Sequence, residues 1–263
     1  MHKKGYDLSP IDLYILQHMG KVIPGWISIG KSSINRVEFL HKLTSTSSHI
    51  EKITLIPGET LDLFFDNLSL QQDMNKTKLF KYYHQYSPYK EAGILPDTYF
   101  VPYGIREKNL IKFLTRFTNQ KYKQISNKYF GDYNTTNFNK ILTIASIIQK
   151  EAANNQEMPI VSSVIYNRLQ KHMRLQMDGT LNYGKYSHIK VTPKRIDEDN
   201  TTYNTYKHKG LPLYPVSSAS LTAIKASINP KKTKYLYFMR NKHGVHNFST
   251  TYKSHRQNIK KAK

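Results

Sequence analysis

One run of residues, Ile141-Leu-Thr-Ile-Ala-Ser-Ile-Ile-Gln-Lys-Glu-Ala-Ala153, constrains this chain more than any other stretch. Ile144, Ile147, Ile148 and Glu151 recur at intervals of three and four, the spacing of one helical face. The run reads as a buried helix that ends by carrying one carboxylate inward. A carboxylate on an apolar face costs free energy unless it is paired or protonated. Burial also disfavours its charged form and raises its pKa. A carboxylic acid still protonated near neutrality is what glycosidic-bond cleavage requires. The same spacing describes a structural glutamate at a helix end, tied to a lysine or to a backbone amide. On periodicity alone the structural role is the commoner one.

The chain has 263 residues, room for one large domain or a large one with a small companion. Trp26 is its only tryptophan, so a core must rest on Ile, Leu, Tyr and Phe. Forty Lys and Arg against 18 Asp and Glu give a net charge of +22. Such a chain adheres to polyanions: nucleic acid, anionic lipid or an acidic polymer. The lysines are spread rather than blocked, so a solvated basic surface is the competing reading. The absence of cysteine excludes disulfides, zinc–thiolate sites and a cysteine nucleophile. Residues 11–29 are the most apolar early stretch, but Asp12, His18 and Lys21 interrupt them and rule out a membrane span. An anchor, if the natural protein has one, is expected outside this sequence.

Ser9 as N-cap and Pro10 in the first turn predict a helix to about Met19. A turn at Pro24-Gly25, a strand over 26–30, a helix with Val37, Leu40 and Leu43 as its stripe, and a strand over 53–56 make a small α+β module. Helices are expected over 59–68 and 78–86, followed by an extended aromatic loop over 91–104. A long helix over 105–127 with Leu110, Phe113, Leu114 and Phe117 on one face leads to a polar connection over 130–138. After the glutamate-bearing helix come a helix opened by Met158-Pro159, a turn over 175–184 and a charged excursion over 186–202. A short helix over 220–228, a hairpin of strands 235–239 and 245–248, and a basic terminal helix over 250–261 complete the chain. The expected class is α+β, a small α+β module followed by a mixed helical and β domain.

The histidines form no HExxH or HxH pair, and His243 and His246 sit across a hairpin turn, so a metal site has no support. There is no GxSxG elbow and no SxxK. Gly30-Lys31-Ser32 lacks the earlier glycine of a phosphate-binding loop. Carboxylates remain. Beside Glu151 stands Asp178, in Leu175-Gln-Met-Asp-Gly-Thr180. Two carboxylates suit a hydrolase, whereas one suits a reaction in which the substrate supplies its own nucleophile. Asp178 before Gly179 also reads as a turn side chain bonded to its own backbone. Tyr99, Tyr183, Tyr203, Tyr206, Tyr214 and Phe248 lie among Asn, Thr and proline-turn residues. Such surfaces suit sugar rings, or with lysines single-stranded nucleic acid. Most of these tyrosines also serve to fill a tryptophan-poor core.

Eight segments then occur in a particular order: Gly93-Ile-Leu-Pro-Asp-Thr-Tyr99, Ala145-Ser-Ile-Ile-Gln-Lys-Glu-Ala152, Val164-Ile-Tyr-Asn-Arg-Leu169, Met173-Arg-Leu-Gln-Met-Asp178, Tyr203-Asn-Thr-Tyr206, Gly210-Leu-Pro212, Tyr235-Leu-Tyr-Phe238 and His246-Asn-Phe248. Together they resemble the endolytic murein transglycosylase family, also called MltG or YceG-like. Residues 24–58 resemble, more loosely, that family's LysM-like domain. The resemblance implies a LysM-like module over 1–58 and a lytic transglycosylase domain over 59–263. It implies a lyase that needs no cofactor and cuts the MurNAc–GlcNAc bond within peptidoglycan strands, leaving 1,6-anhydro ends and limiting strand length. It would sit at the periplasmic face of the inner membrane through an N-terminal anchor, beside cell-wall synthesis enzymes, with no nucleic-acid partner. The family's catalytic glutamate falls on Glu151. Asn167, Arg168, Gln176, Asp178, Tyr203, Asn204 and His246 fall on recurrent motif positions, implied to line or brace the substrate cleft.

The chain departs from the pattern in three places. Gln149 stands where the family usually has a second glutamate, and Asp178-Gly179-Thr180 replaces Asp-Pro-Thr. Gly210-Leu-Pro-Leu-Tyr214 replaces Gly-Leu-Pro-Pro-Gly. The competing classes are a non-catalytic peptidoglycan-binding module, in which Glu151 is replaceable, and a single-strand nucleic-acid binder. The latter leaves a carboxylate on an apolar helix face unexplained.

Overall fold

The computed structural model describes residues 8–20, 22, 34–45 and 50–262. The turn expected at Pro24-Gly25 and the strand expected over 26–30 lie outside them. Ser9 holds an extended backbone and its hydroxyl accepts from the Asp12 N–H, while the Asp12 carboxylate accepts from the Ser9 N–H at 2.6 Å. This reciprocal cap, with Pro10 in the first turn, starts α1 (Pro10–Met19). Arg36 grips Asp12 with two hydrogen bonds of 2.7 and 2.5 Å and holds its carboxyl well below the usual carboxylate range. That tie brings in α2 (Arg36–Ser45), which buries Leu40 and Leu43 against Leu16. Val37, expected in the same stripe, is 73 % exposed.

β1 (Ile50–Thr54) pairs with β2 (Thr98–Pro102) in a two-stranded sheet. β2 lies inside the segment expected as an extended loop. Its strand character shows in the alternation: Tyr99 and Val101 point in, Thr98, Phe100 and Pro102 outward. The chain divides into two compact units, 1–53 with 98–106, and 54–97 with 107–263.

In the second unit, Thr60 and Asn75 cap α3 (Leu61–Gln72) and α4 (Lys76–Tyr86) through their side chains. Phe65 of α3 sits edge-on to Phe80 and Tyr83 of α4. Next come α5 (Glu107–Phe130) and α6 (Thr135–Glu151). Leu110 and Leu114 of α5 are buried as expected, but Phe113 is 43 % exposed. Helix α6 begins within the expected polar connection, because the Asn134 side chain accepts from the Asn137 N–H at 3.0 Å and caps it there.

α7 (Met158–Gln170), α8 (Pro193–Glu198) and α9 (Leu221–Ile228) follow, with Thr192 capping α8 inside the charged excursion and Ser220 capping α9. The antiparallel hairpin of β3 (Tyr237–Arg240) and β4 (His246–Ser249) pairs Phe238 with Phe248. α10 (Tyr252–Ala262) ends the chain. The mixture of helices and short strands is an α+β fold.

α6 is the centre of the main core. Leu142, Ile144, Ala145, Ile147 and Ile148 pack with Val161, Val164 and Ile165 of α7 and Ala223 and Ile224 of α9. The expected apolar face is therefore buried, and the burial extends around most of the helix. Residues 56–59 are tied to the segment before α9. Gly58 N–H donates to Ser218 O at 3.0 Å, Ser218 N–H to Glu59 O at 2.8 Å, and the Ser218 hydroxyl to Ile56 O at 3.2 Å.

Ile148→Ala is expected to cost about 2–5 kcal/mol, the range for truncating a fully buried aliphatic residue. Leu70→Ala, at a site 84 % exposed, is expected to stay within about 0.5 kcal/mol. Urea unfolding of the two variants against wild type checks the contrast.

Candidate active site

Glu151 is the last residue of α6. Ala152 beyond it leaves helical geometry, its N–H donating to Ile148 O. Ile144, Ile147 and Ile148 of the same face are buried, and Glu151 closes that face while keeping partial exposure.

A turn from the distant segment 175–182 comes against it. Gln176, at φ 48°, donates its N–H to Thr205 O, and Met177 N–H donates to the Thr205 hydroxyl, both at 3.1 Å. Thr180 Oγ1 donates to Met177 O at 2.7 Å, and residues 178–181 form a single 3₁₀ turn. The turn points the Gly179 N–H at Glu151 Oε1, 2.7 Å away. A Cβ on residue 179 would lie 2.5 Å from Lys150 Cβ and 2.7 Å from Glu151 Oε1, so glycine alone fits without displacement.

Burial pushes the Glu151 carboxyl up to about 7. The Gly179 hydrogen bond and the charge of Arg168 oppose that rise, and the charge of Asp178 adds to it. Asp178 is exposed, and its Oδ1 accepts from the Tyr206 hydroxyl at 2.5 Å. Burial, and then the bond to Asp178, push the Tyr206 hydroxyl well above its ordinary range.

The other residues singled out in the sequence have distinct places. Arg168 is buried and donates to the carbonyls of Leu236, Arg174 and Leu175, joining α7 to the turn and to the start of β3. Its guanidinium lies 5.2 Å from the Tyr237 ring centre. Asn167 donates to Thr233 O and Tyr235 O at 3.0 and 2.9 Å. Asn204 is fully buried, donating to Ile196 O and Asp199 O at 2.7 Å each and accepting from the Tyr206 N–H. These three side chains are spent on backbone groups and act as braces.

Gln176 has an exposed side chain on the turn, and Tyr203 stacks on Tyr183 at 4.3 Å. His246 is bound to Glu157, through Nδ1 and Oε2 at 2.6 Å and through its N–H and Oε1 at 2.8 Å. Glu157 also accepts from the Ala153 N–H at 3.2 Å, fixing the loop that leaves Glu151. Burial works against the Glu157 charge, but the bonds from His246 and Ala153 hold its carboxyl below the ordinary value.

Glu151 and Asp178 are thus brought to one place with Tyr206, and Gly179 and Glu157 join them without having been singled out as site residues in the sequence. Tyr206 belongs to the Tyr203-Asn-Thr-Tyr206 segment and was readable there. Two further partly buried ionisable groups, Glu91 and Lys150, act on each other electrostatically. Glu91 accepts from Leu61 N–H and Ala92 N–H at the start of α3, and burial pushes its carboxyl up to about 8. Burial pushes the Lys150 ammonium down to about 8, against the attraction of Glu59 and Glu91. Among the described residues no group of three His, Asp or Glu side chains is placed to hold a metal ion.

The chain that carries this carboxyl matches a known family over almost all its length. The profile of the YceG-like family covers residues 10–261, and the chain belongs to that family. The endolytic murein transglycosylase of Bacillus subtilis is 34% identical over 171 residues, 63% of this chain and 46% of that protein. The endolytic murein transglycosylase of Streptococcus pneumoniae is 33% identical over 156 residues, 57% of this chain and 28% of that protein. The chain spans less than half the length of these relatives. A solved YceG-like protein of Listeria monocytogenes superposes with a TM-score of 0.69 and 27% identity, over 86% of this chain and 81% of that one.

The raised Glu151 midpoint is also a stability statement. A carboxyl that titrates near 4.5 unfolded and about 7 folded holds its proton more tightly in the folded state. Its stabilising contribution is full below pH 4.5 and is lost as the pH rises through 7. Glu151→Gln is therefore expected to match wild type at pH 4 and to exceed its stability at pH 8 by about 3 kcal/mol. Urea unfolding at both pH values checks it, and a constant difference across the range would contradict it.

Proposed function

We propose that this chain carries the catalytic part of a peptidoglycan lytic endotransglycosylase, with Glu151 as its single acid and base. The observation that carries this reading is the enclosed Glu151 carboxyl, held near neutrality at the end of α6 and left free of any side-chain ion pair among the described residues. The names of the relatives in Bacillus subtilis and Streptococcus pneumoniae supply the substrate class.

The proton on Glu151 passes to the glycosidic oxygen between N-acetylmuramic acid and N-acetylglucosamine. The C1–O bond breaks, and its electron pair goes to the departing oxygen. Positive charge at C1 is met by the acetamido oxygen of the same sugar. The C6 hydroxyl then attacks C1, and its proton passes to the Glu151 carboxylate. The product end is a 1,6-anhydro ring, and the acid is restored without water. One group can serve both steps because its midpoint lies near the working pH. The negative charge of Asp178 favours the protonated form of Glu151 at the start of the cycle.

In this reading Gln176, Asp178, Tyr203 and His246 line or flank the cleft, and Asn167, Arg168 and Asn204 brace it. Residues 1–58 act as a LysM-like module and 59–263 as the catalytic domain. The enzyme works outside the cytoplasm, where its polymer is. Tethering at the periplasmic face of the inner membrane, beside synthetic enzymes and limiting strand length, rests on the family resemblance. Among the described residues no helix is long and apolar enough to cross a membrane.

Mass spectrometry of digests of purified peptidoglycan tests the proposal. Wild type is expected to release fragments with 1,6-anhydro ends, and Glu151→Gln to lose at least about 10²-fold in rate, the scale of general acid catalysis. Reducing ends would instead mark a hydrolase with Asp178 as the second carboxylate. Strand binding without products, unchanged by the substitution, would mark a binding module.

A further inference from the structure

The peptide N–H of Gly179 is the hydrogen-bond donor to the Glu151 carboxyl among the described residues, at 2.7 Å from Oε1. A peptide N–H can only donate. The oxygen that receives it presents a lone pair, and the carbonyl oxygen of a neutral carboxyl is the better acceptor, so this bond favours the hydrogen on the other oxygen.

The donor is also held in place. Its turn is pinned on one side by Thr205, which accepts from Met177 N–H and pairs with the Thr180 hydroxyl at 3.0 Å. On the other side Asn182 N–H donates to Gly179 O at 3.2 Å. The approach is close because residue 179 has no side chain, and the crowding atom, Lys150 Cβ, is fixed to the helix backbone.

We propose that the Gly179 N–H is the positioning group of the acid: it assigns the transferable proton of Glu151 to Oε2 and receives the carboxylate once that proton has left. The inference rests on Glu151 as the proton donor. The bond tightens when its acceptor becomes charged, since charge-assisted hydrogen bonds are roughly twice as strong as neutral ones. It thus favours the state formed after donation over the state before it, which is the direction that lowers a barrier. Residue 179 acts through a backbone atom, so the identity of its side chain matters only by being absent, and a proline there would delete the donor outright.

The test is a titration without substrate. In wild type followed by NMR, the Gly179 amide proton is expected to move downfield as the Glu151 carboxyl carbon reports ionisation. Both should share one midpoint, and the amide response should vanish in Glu151→Gln. Gly179→Ala and Gly179→Pro add the same crowding Cβ, and only the second removes the N–H. The Glu151 midpoint is expected about one pH unit higher in Gly179→Pro than in Gly179→Ala, and the alkaline limb of the pH–rate profile should move with it. Equal midpoints in the two variants, or a wild-type Gly179 amide that ignores the Glu151 titration, would overturn the proposal. If Gly179→Pro does not fold, the wild-type amide decides alone. The amide and midpoint readings need no turnover, so a Glu151→Gln variant that still released product would sink the acid assignment without touching them.

Discussion

Withdrawing one carboxyl from water is the constraint to which the rest of the second unit answers. Loss of hydration is the largest influence on Glu151, and the usual remedy, a cation in contact, is withheld. Arg168 is buried within electrostatic reach, but its guanidinium is committed to three carbonyls. Lys150 is the adjacent residue, yet the carboxylates that attract it are Glu59 and Glu91, and burial weakens its own hold on a proton. A salt bridge would have locked Glu151 in its ionised form. A single backbone donor tempers the effect of burial without erasing it.

The structural and functional readings of this glutamate therefore do not exclude each other. Glu151 is tied to a backbone amide, as a helix-end glutamate often is, and the tie is also what makes its acidity useful. The rigidity of the arrangement comes from polar side chains that never reach the carboxyl. Asn167 and Arg168 spend donors on carbonyls more than sixty residues away in the chain, and Asn204 spends its donors on carbonyls of the segment just before it. Leaving a buried carbonyl unpaired costs about 1–3 kcal/mol, so each brace defends the geometry of the site through the stability of its surroundings.

What could be read in advance was local. The Ser9–Pro10 start of α1, the apolar face of α6 and the antiparallel hairpin near the end all declare themselves within a few residues. What could not be read depended on partners remote in sequence. β2 was hidden in a stretch rich in Pro and Gly because its pairing strand lies more than forty residues earlier. Val37 and Phe113 match their helical stripes in spacing yet stay 73 % and 43 % exposed. The amide of Gly179 carries no signal at all, since every residue but proline has one. Residue 179 stood out only as a place where a glycine replaces the proline of the resembled pattern. Tyr203 and Tyr206 read alike as aromatic faces for a sugar, and spacing cannot tell which of the two meets Asp178.

The bond between His246 and Glu157 has a consequence for how such a chain comes into being. Glu157 fixes the loop that leaves Glu151, and it is itself fixed by a residue on the last strand. Contacts so far apart in sequence form late, because closing long loops delays them. A growing chain that has just produced Ser220 already possesses the whole of α6 and its carboxyl, but neither the strand nor the histidine that secures the loop beyond it. The reactive group is made early and its setting late, so a chain cut short before the hairpin would hold the acid without the frame that directs it.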